Sequence, residues 1–408
     1  MHVDKRLPAA LSRAMRPLGR ATIETQAGET TLSQTFDVIV LGLGGVGSAT
    51  AHHLASMGHR VLGLDRFSPP HRFGSSHGET RIIRKAYFEH VGYVPLLCRA
   101  YDLWRQLEQD HGSHLLHLTG LIEIGPPQGM IIPGILESAS RFNLPIDRLM
   151  MHEAENRFPL IRGEPSWNAV LEKDAGYLCV EACVDAHLQS AKRRGSQLQF
   201  DEPVLGWKST SHGVSVETAI ATYSADRLVI TAGPWAGQWL SRYGVQLQVL
   251  RKHLYWYRTG AEGFHETAGF PCFFFETPGG CFYGFPERDS LGLKVARHSG
   301  GQRAVVSEDG VHPRDAEDQR SVESFLREHL PAVSLELTRT EGCYYTMSPD
   351  EHFIVDRLPD APQVTYVAGL SGHGFKFASV LGEMAALLAT DREPPFDIEF
   401  LKFSRFWE

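Results

Sequence analysis

The hydrophobic pattern of the chain sets in sharply at Phe36. Asp37-Val38-Ile39-Val40-Leu41 is a short apolar run rich in β-branched residues, as a strand buried on both faces of a parallel sheet requires. It runs into Gly42-Leu43-Gly44-Gly45-Val46-Gly47, and then into Ser48, Ala49, Thr50, Ala51 and Leu54. Those small and apolar residues suit a helix packed closely on a sheet. Gly58 closes the helix, and residues 60–64 form a second apolar strand that ends at Asp65. The spacing predicts one βαβ unit of about the minimal length for a parallel crossover.

Two later stretches read as returns to the same sheet. One is the run at 227–233, which ends in Thr231-Ala232-Gly233; the other is 364–369, followed by Gly372-His373-Gly374. A helix follows, with Phe377, Val380, Leu381, Met384, Leu387 and Leu388 at the spacing of one buried face. The intervening segments alternate aromatic and polar residues, and Pro278-Gly279-Gly280 between two aromatic runs predicts a hairpin. The expected fold is α/β in class, an α+β arrangement of two domains. A Rossmann-like nucleotide-binding domain over 36–111, 179–246 and 350–408 is interrupted by a mostly antiparallel substrate domain over 112–178 and 247–349. Residues 1–35, with Arg13, Arg16 and Arg20 among small residues, read as a disordered or targeting-like extension with too little apolar sequence for a secretory signal.

Composition narrows the function classes. A chain of 408 residues exceeds what one hydrophobic core usually supports, which favours two domains. A net charge of −8 argues against a nucleic-acid footprint, and no apolar window is long enough to cross a membrane. The six cysteines form no disulfide framework, which points to a reducing, cytoplasmic setting. Cys179 and Cys183 have no matching ligand pair for zinc, and His111, His114 and His117 read as a solvated helix face, so no metal is expected.

The glycine motif carries the first chemistry. Gly42 permits a tight turn, Gly44 lets the backbone approach a pyrophosphate, and Gly47 allows close helix–strand packing at a helix N-terminus that favours anions. Asp65, at the end of the next strand, stands where an acid accepts hydrogen bonds from a ribose. This context predicts a bound dinucleotide. The motif alone leaves FAD and NAD open, although the glycine cluster near the C-terminus suits the longer FAD.

Longer strings carry a family resemblance. Pro69-Pro70-His71, Gly74-Ser75-Ser76-His77-Gly78-Glu79-Thr80-Arg81-Ile82-Ile83-Arg84 and Gly369-Leu370-Ser371-Gly372-His373-Gly374-Phe375-Lys376-Phe377 resemble the monomeric sarcosine oxidase and N-methyltryptophan oxidase family, from about Phe36 to Phe406. Leu293-Lys294-Val295-Ala296-Arg297-His298 and Phe403-Ser404-Arg405-Phe406 resemble its N-methyltryptophan oxidase branch. The resemblance implies a monomeric flavoenzyme. It would oxidise an N-methyl amino acid with oxygen to the amino acid, formaldehyde and hydrogen peroxide. It implies FAD held by Gly42, Gly44, Gly45, Val46, Gly47, Asp65, Arg66, Ser75, His77, Thr80, Arg81, Val204, Gly372, His373, Gly374, Phe375 and Lys376, and tethered through a thioether to Cys343. The chain departs from the family pattern at Ser76, where two adjacent histidines are usual, and at Glu79, where an Asp is usual.

The matching positions also imply roles at the reacting end. Arg84 and Lys376 would clamp a substrate carboxylate, one as a planar fork and the other as a point charge. Their apolar neighbours, Ile82, Ile83, Phe375 and Phe377, suggest burial. Lys294 would promote oxygen reduction through its charge. Tyr283 would hydrogen-bond the carboxylate and His298 would tune the amine's protonation, while Glu89 pairs with Arg84 in the absence of substrate. The competing readings are a D-amino-acid, glycine or pipecolate type oxidase, a nicotinamide-dependent dehydrogenase, and a binding module without activity.

Overall fold

The computed structural model describes residues 35–407 apart from 211, 307–309 and 311. The N-terminal extension, Thr35 excepted, lies outside the described residues. Strand β1 (Thr35–Leu41), helix α1 (Gly45–Ser56) and strand β2 (Val61–Leu64) form the expected βαβ unit, with β1 and β2 parallel and Val38 opposite Val61. On its other side β1 pairs in parallel with Thr222–Ile230. That strand pairs in parallel with Ala361–Ala368. Both later apolar runs therefore return to one sheet. Val38 and Val40 face the core shared with the helices, and Ile39 and Leu41 face the opposite core. This double burial is why the run lacks alternation.

The helix Ala378–Ala389 differs from its expected form. Every residue in it except Glu383 is buried, so it has no solvated face. It lies between α1 and the helix Tyr93–His111, and a Cβ at Gly382 would sit 2.5 Å from that of Ala49. A helix wrapped on all sides needs apolar residues beyond a single stripe.

A second sheet of nine strands collects Leu121–Gly125, Asp147–Met150 and Asn168–Glu172 from one stretch of chain. The rest come from Gln248–Thr259 through Val333–Met347. All its pairings are antiparallel except that of Leu121–Gly125 with Cys272–Thr277. The predicted hairpin is present, with Phe274 opposite Tyr283. Helix Ala316–His329 covers one face, its Phe325 ring stacked 4.6 Å from Phe282. Its N-terminus is capped by the Asp315 carboxylate, which accepts from the Glu317 and Asp318 amides. A three-stranded sheet of Thr80–Ile83, Gly176–Cys179 and Leu116–His117 carries Arg81.

The three clustered histidines do not share a helix face. Gly112, at φ 75°, stops the helix after His111, as a left-handed glycine cap does. His117 is in a strand and stacks 4.7 Å from Tyr177, with His114 4.1 Å from its own ring.

Candidate active site

The glycine motif builds one end of the site from backbone. Gly42 has φ 86°, and a Cβ there would lie 2.6 Å from the Thr231 carbonyl oxygen, so the turn admits only glycine. At Gly47 a Cβ would lie 1.7 Å from the Gly42 oxygen. Gly47 thus seals the helix to the turn and does not line the cavity. Gly44, at the N-cap of α1, has no side chain to cap the helix, and the first turn holds no acid, which leaves a positive helix end facing the cavity. Ser76, the departure from the family pattern, accepts a hydrogen bond from the Gly45 amide at 3.0 Å. Asp65 accepts from the Leu43 amide at 2.7 Å and the Phe67 amide at 2.9 Å, bracing the turn from the end of β2.

From this cradle a single cavity of about 290 Å³ leads to a cationic, aromatic end. Gly44, Gly45, Val46, Asp65, Arg66 and Val204 line it at the cradle, with the Phe375 ring against Gly45, and Ser75, Arg81, Gly372, His373 and Gly374 also line it. Arg84, Lys376, Glu89, Phe274, Tyr283, His298 and Tyr345 close the far end. Thr231, Trp235, Phe274 and Tyr345 also line the wall although no sequence pattern singled them out. Thr231 was within reach of sequence reasoning, because it opens the small-residue end of a returning strand.

The far end is a buried charge cluster. Arg84 is 2% exposed and donates through Nη2 to both oxygens of Glu89, at 2.8 and 3.0 Å. Its guanidinium also lies over the rings of Tyr87 at 4.6 Å and Phe88 at 4.5 Å. Lys376 donates to the His373 carbonyl at 2.8 Å. Burial, with Arg84 adding to it, pulls the Lys376 pKa down to about 7. Burial lowers that of His298 to about 3, with Lys252 pushing the same way. His298 is therefore neutral at ordinary pH, 3.3 Å from the Tyr345 hydroxyl. The Tyr283 phenol is pushed up by burial.

Four expected residues stand behind the wall. Lys294 is buried and donates to the Gly78 carbonyl, the Thr80 carbonyl and the Thr80 hydroxyl, on a separate small pocket that Thr80 also lines. Burial pulls the Lys294 pKa well down and Arg81 adds to this, while the carboxylates of Glu79 and Glu181 oppose it. His77 is 3.5 Å from the Glu341 carboxylate. Cys343 is 1% exposed on Val333–Met347, while its neighbours Tyr344 and Tyr345 reach the cavity. Burial raises the thiol pKa, and Arg81, Lys252 and Lys294 pull it back down.

A glycine cradle, a helix start with glycine at its N-cap, an acid at the end of β2 and a long cavity together fit FAD. The family model for FAD dependent oxidoreductases matches residues 37–388. The chain is 41% identical to a monomeric sarcosine oxidase of Streptomyces avermitilis, over 88% of this chain and 94% of the relative. It is 40% identical to an N-methyl-L-tryptophan oxidase of Yersinia pestis, over 91% and 99%. The chain belongs to the FAD dependent oxidoreductases, in the monomeric sarcosine oxidase and N-methyltryptophan oxidase family. Among solved structures, it is similar to NikD, an unusual amino acid oxidase of nikkomycin biosynthesis, with a TM-score of 0.79, 25% identity and coverage of 91% and 98%. The glycine oxidase of Geobacillus kaustophilus shares the fold, with a TM-score of 0.77 at 19% identity over 91% and 99%. Family membership excludes the nicotinamide reading and makes FAD the cofactor of the cradle.

Proposed function

We propose that the protein oxidises an N-methyl amino acid of the N-methyl-L-tryptophan or sarcosine type, consuming oxygen and water and releasing the amino acid, formaldehyde and hydrogen peroxide. One observation carries the reading: the dinucleotide cradle and a buried pair of cations, Arg84 and Lys376, open on the same cavity. FAD held by the cradle at Gly42, Gly44 and Gly45 would supply the two-electron acceptor for the N-methyl carbon and the route of those electrons to oxygen. Arg84 and Lys376 hold the substrate carboxylate, for which the Arg84–Glu89 pair must loosen. Tyr283 donates a hydrogen bond to the same carboxylate. A neutral His298 adds no positive charge against the substrate amine. Phe274, Tyr283 and Tyr345 give the pocket the aromatic surface that a bulky side chain needs.

The proposal extends to three further points. Cys343 is the attachment site of the flavin, supported by its place in the strand directly before Tyr344 and Tyr345, two residues of the cavity wall. Lys294 supplies positive charge for oxygen reduction. Residues 36–111, 179–246 and 350–408 form the FAD-binding domain and 112–178 with 247–349 the substrate domain, a division supported by the membership of the two large sheets. We also take the enzyme to be a cytoplasmic monomer acting on a small molecule, with neither nucleic acid nor membrane as a partner. Its six cysteines are free, and no helix among the described residues is long and apolar enough to cross a membrane.

The test is peroxide release from purified protein given N-methyl-L-tryptophan, sarcosine or pipecolate, with absorbance read before and after acid precipitation. The expected result is peroxide from an N-methyl amino acid and yellow colour in the pellet. Peroxide from none of these amines overturns the reaction. Colour released to the supernatant overturns the tether alone.

A further inference from the structure

Behind Arg84 stands a carboxylate that the reading above leaves without work. Glu123, in the strand Leu121–Gly125, is wholly buried. Its Oε1 is 3.4 Å from Arg84 Nε, yet neither Glu123 oxygen nor that Nε has a hydrogen-bond partner among the described residues. Phe274 and Val170, its register partners on the flanking strands, are apolar. The charged and titratable groups that face it are Arg84, Glu172, Glu89 and Lys376. An ionised carboxylate in such a place, without hydrogen bonds, is costly and tends to take up a proton.

We propose that Glu123 is a positioning residue whose protonation sets how strongly Arg84 holds an incoming carboxylate. The inference rests on the reading of Arg84 and Lys376 as a carboxylate clamp. Arg84 divides itself between Glu89, which takes two hydrogen bonds from Nη2, and Glu123, which lies beside Nε. With Glu123 neutral, an entering anion competes against one counter-charge. With Glu123 ionised it competes against two.

The sign follows from the charges. Burial raises the Glu123 pKa to about 8, partly offset by Arg84. Below that value Glu123 is neutral and anion binding is strongest; above it the ionised carboxylate weakens binding. Lys376, with its pKa near 7, loses its charge over a neighbouring range and weakens binding in the same direction. The two limbs must therefore be separated by counting protons.

The probe is indole-3-acetate, a carboxylate with no amine to oxidise, titrated calorimetrically into the holoenzyme between about pH 6 and about pH 10, a range that spans both transitions. The slope of log Kd against pH at the alkaline end counts protons taken up with the anion, and is expected to approach ~2 in the wild type and ~1 in Glu123→Gln. Glu123→Asp, which keeps a carboxylate, is expected to retain most of the wild-type slope. A Glu123→Gln variant whose affinity shifts equally at every pH, with the wild-type slope intact, would mean a merely structural residue and overturn the proposal. So would Glu123→Asp behaving as Glu123→Gln. A wild type that binds no anion at any pH would instead overturn the clamp, and this inference with it.

Discussion

The two ends of the cavity are built from different materials. The cradle end is made of backbone: Gly42, Gly44 and Gly45, a helix start with glycine at its N-cap, and Asp65 bonded to two amides. The far end is made of side chains from distant segments, with Arg84, Glu123 and Lys376 buried and Glu89 half-buried beside them. Backbone dipoles carry no titratable proton and serve any pyrophosphate. A buried cluster of ionisable groups is selective, because each added or lost charge changes what the pocket accepts. The first end is therefore sensitive to shape, and the second to charge.

That contrast can be broken or sharpened by substitution. The largest effect is expected for Gly47→Val, whose side chain would overlap the Gly42 carbonyl; purified variant should carry almost no flavin by absorbance. Arg84→Gln removes the guanidinium of the clamp and leaves Glu89 without its cation, and such losses cost about 2–5 kcal/mol. Steady-state assays should show kcat/KM lowered by roughly two to three orders of magnitude, with flavin content unchanged. Lys294→Met should slow flavin reoxidation in stopped-flow by at least about tenfold, equivalent to about 1.4 kcal/mol, and leave reduction nearly unaffected. Equal effects on both half-reactions would remove Lys294 from oxygen chemistry.

Acid stability tests the packing behind the cradle. His52, His53 and His187 surround the interface of α1 with the helix Val180–Arg193, His187 lying 5.3 Å from the His52 ring. Burial lowers His52 to about 3 and His53 to about 4, and puts His187 well below the usual value. The unfolded chain therefore takes protons first as pH falls below the ordinary histidine pKa. Stability is full above that point and should fall by up to about 1.4 kcal/mol per pH unit for each histidine on acidification towards the folded values. Thermal unfolding across that range should show the slope, and His187→Leu should flatten it. The smallest effect is expected for Ser76→Ala, which removes one hydrogen bond to the Gly45 amide and should weaken FAD retention by no more than about 1.5 kcal/mol.

What the sequence revealed follows the same division. The βαβ unit was legible because Val38, Ile39 and Val40 sit beside their own turn and helix, so local pattern and tertiary role coincide. The Arg84–Glu89 pair was legible for the same reason, its members being five residues apart. Glu123 was not, since only the pairing of its strand with Cys272–Thr277 brings it behind Arg84. The helix Ala378–Ala389 was placed correctly but given a solvated face, because periodicity cannot report that two other helices cover it. Helix Ala316–His329 was overlooked within a segment read as strands, although Asp315 and the acids after it are a helix-start signal. The histidine spacing misled because Gly112 turns the chain between His111 and His114.

The measurement closest to the central claim compares N-methyl-L-tryptophan with N-methyltryptamine, which differs only in lacking the carboxylate, in an oxygen-consumption assay of the holoenzyme. If Arg84 and Lys376 hold a carboxylate for oxidation, the amino acid turns over with peroxide release. The amine is then slower by a factor comparable to that of Arg84→Gln. Equal turnover of the two, unaffected by Arg84→Gln, would contradict the account.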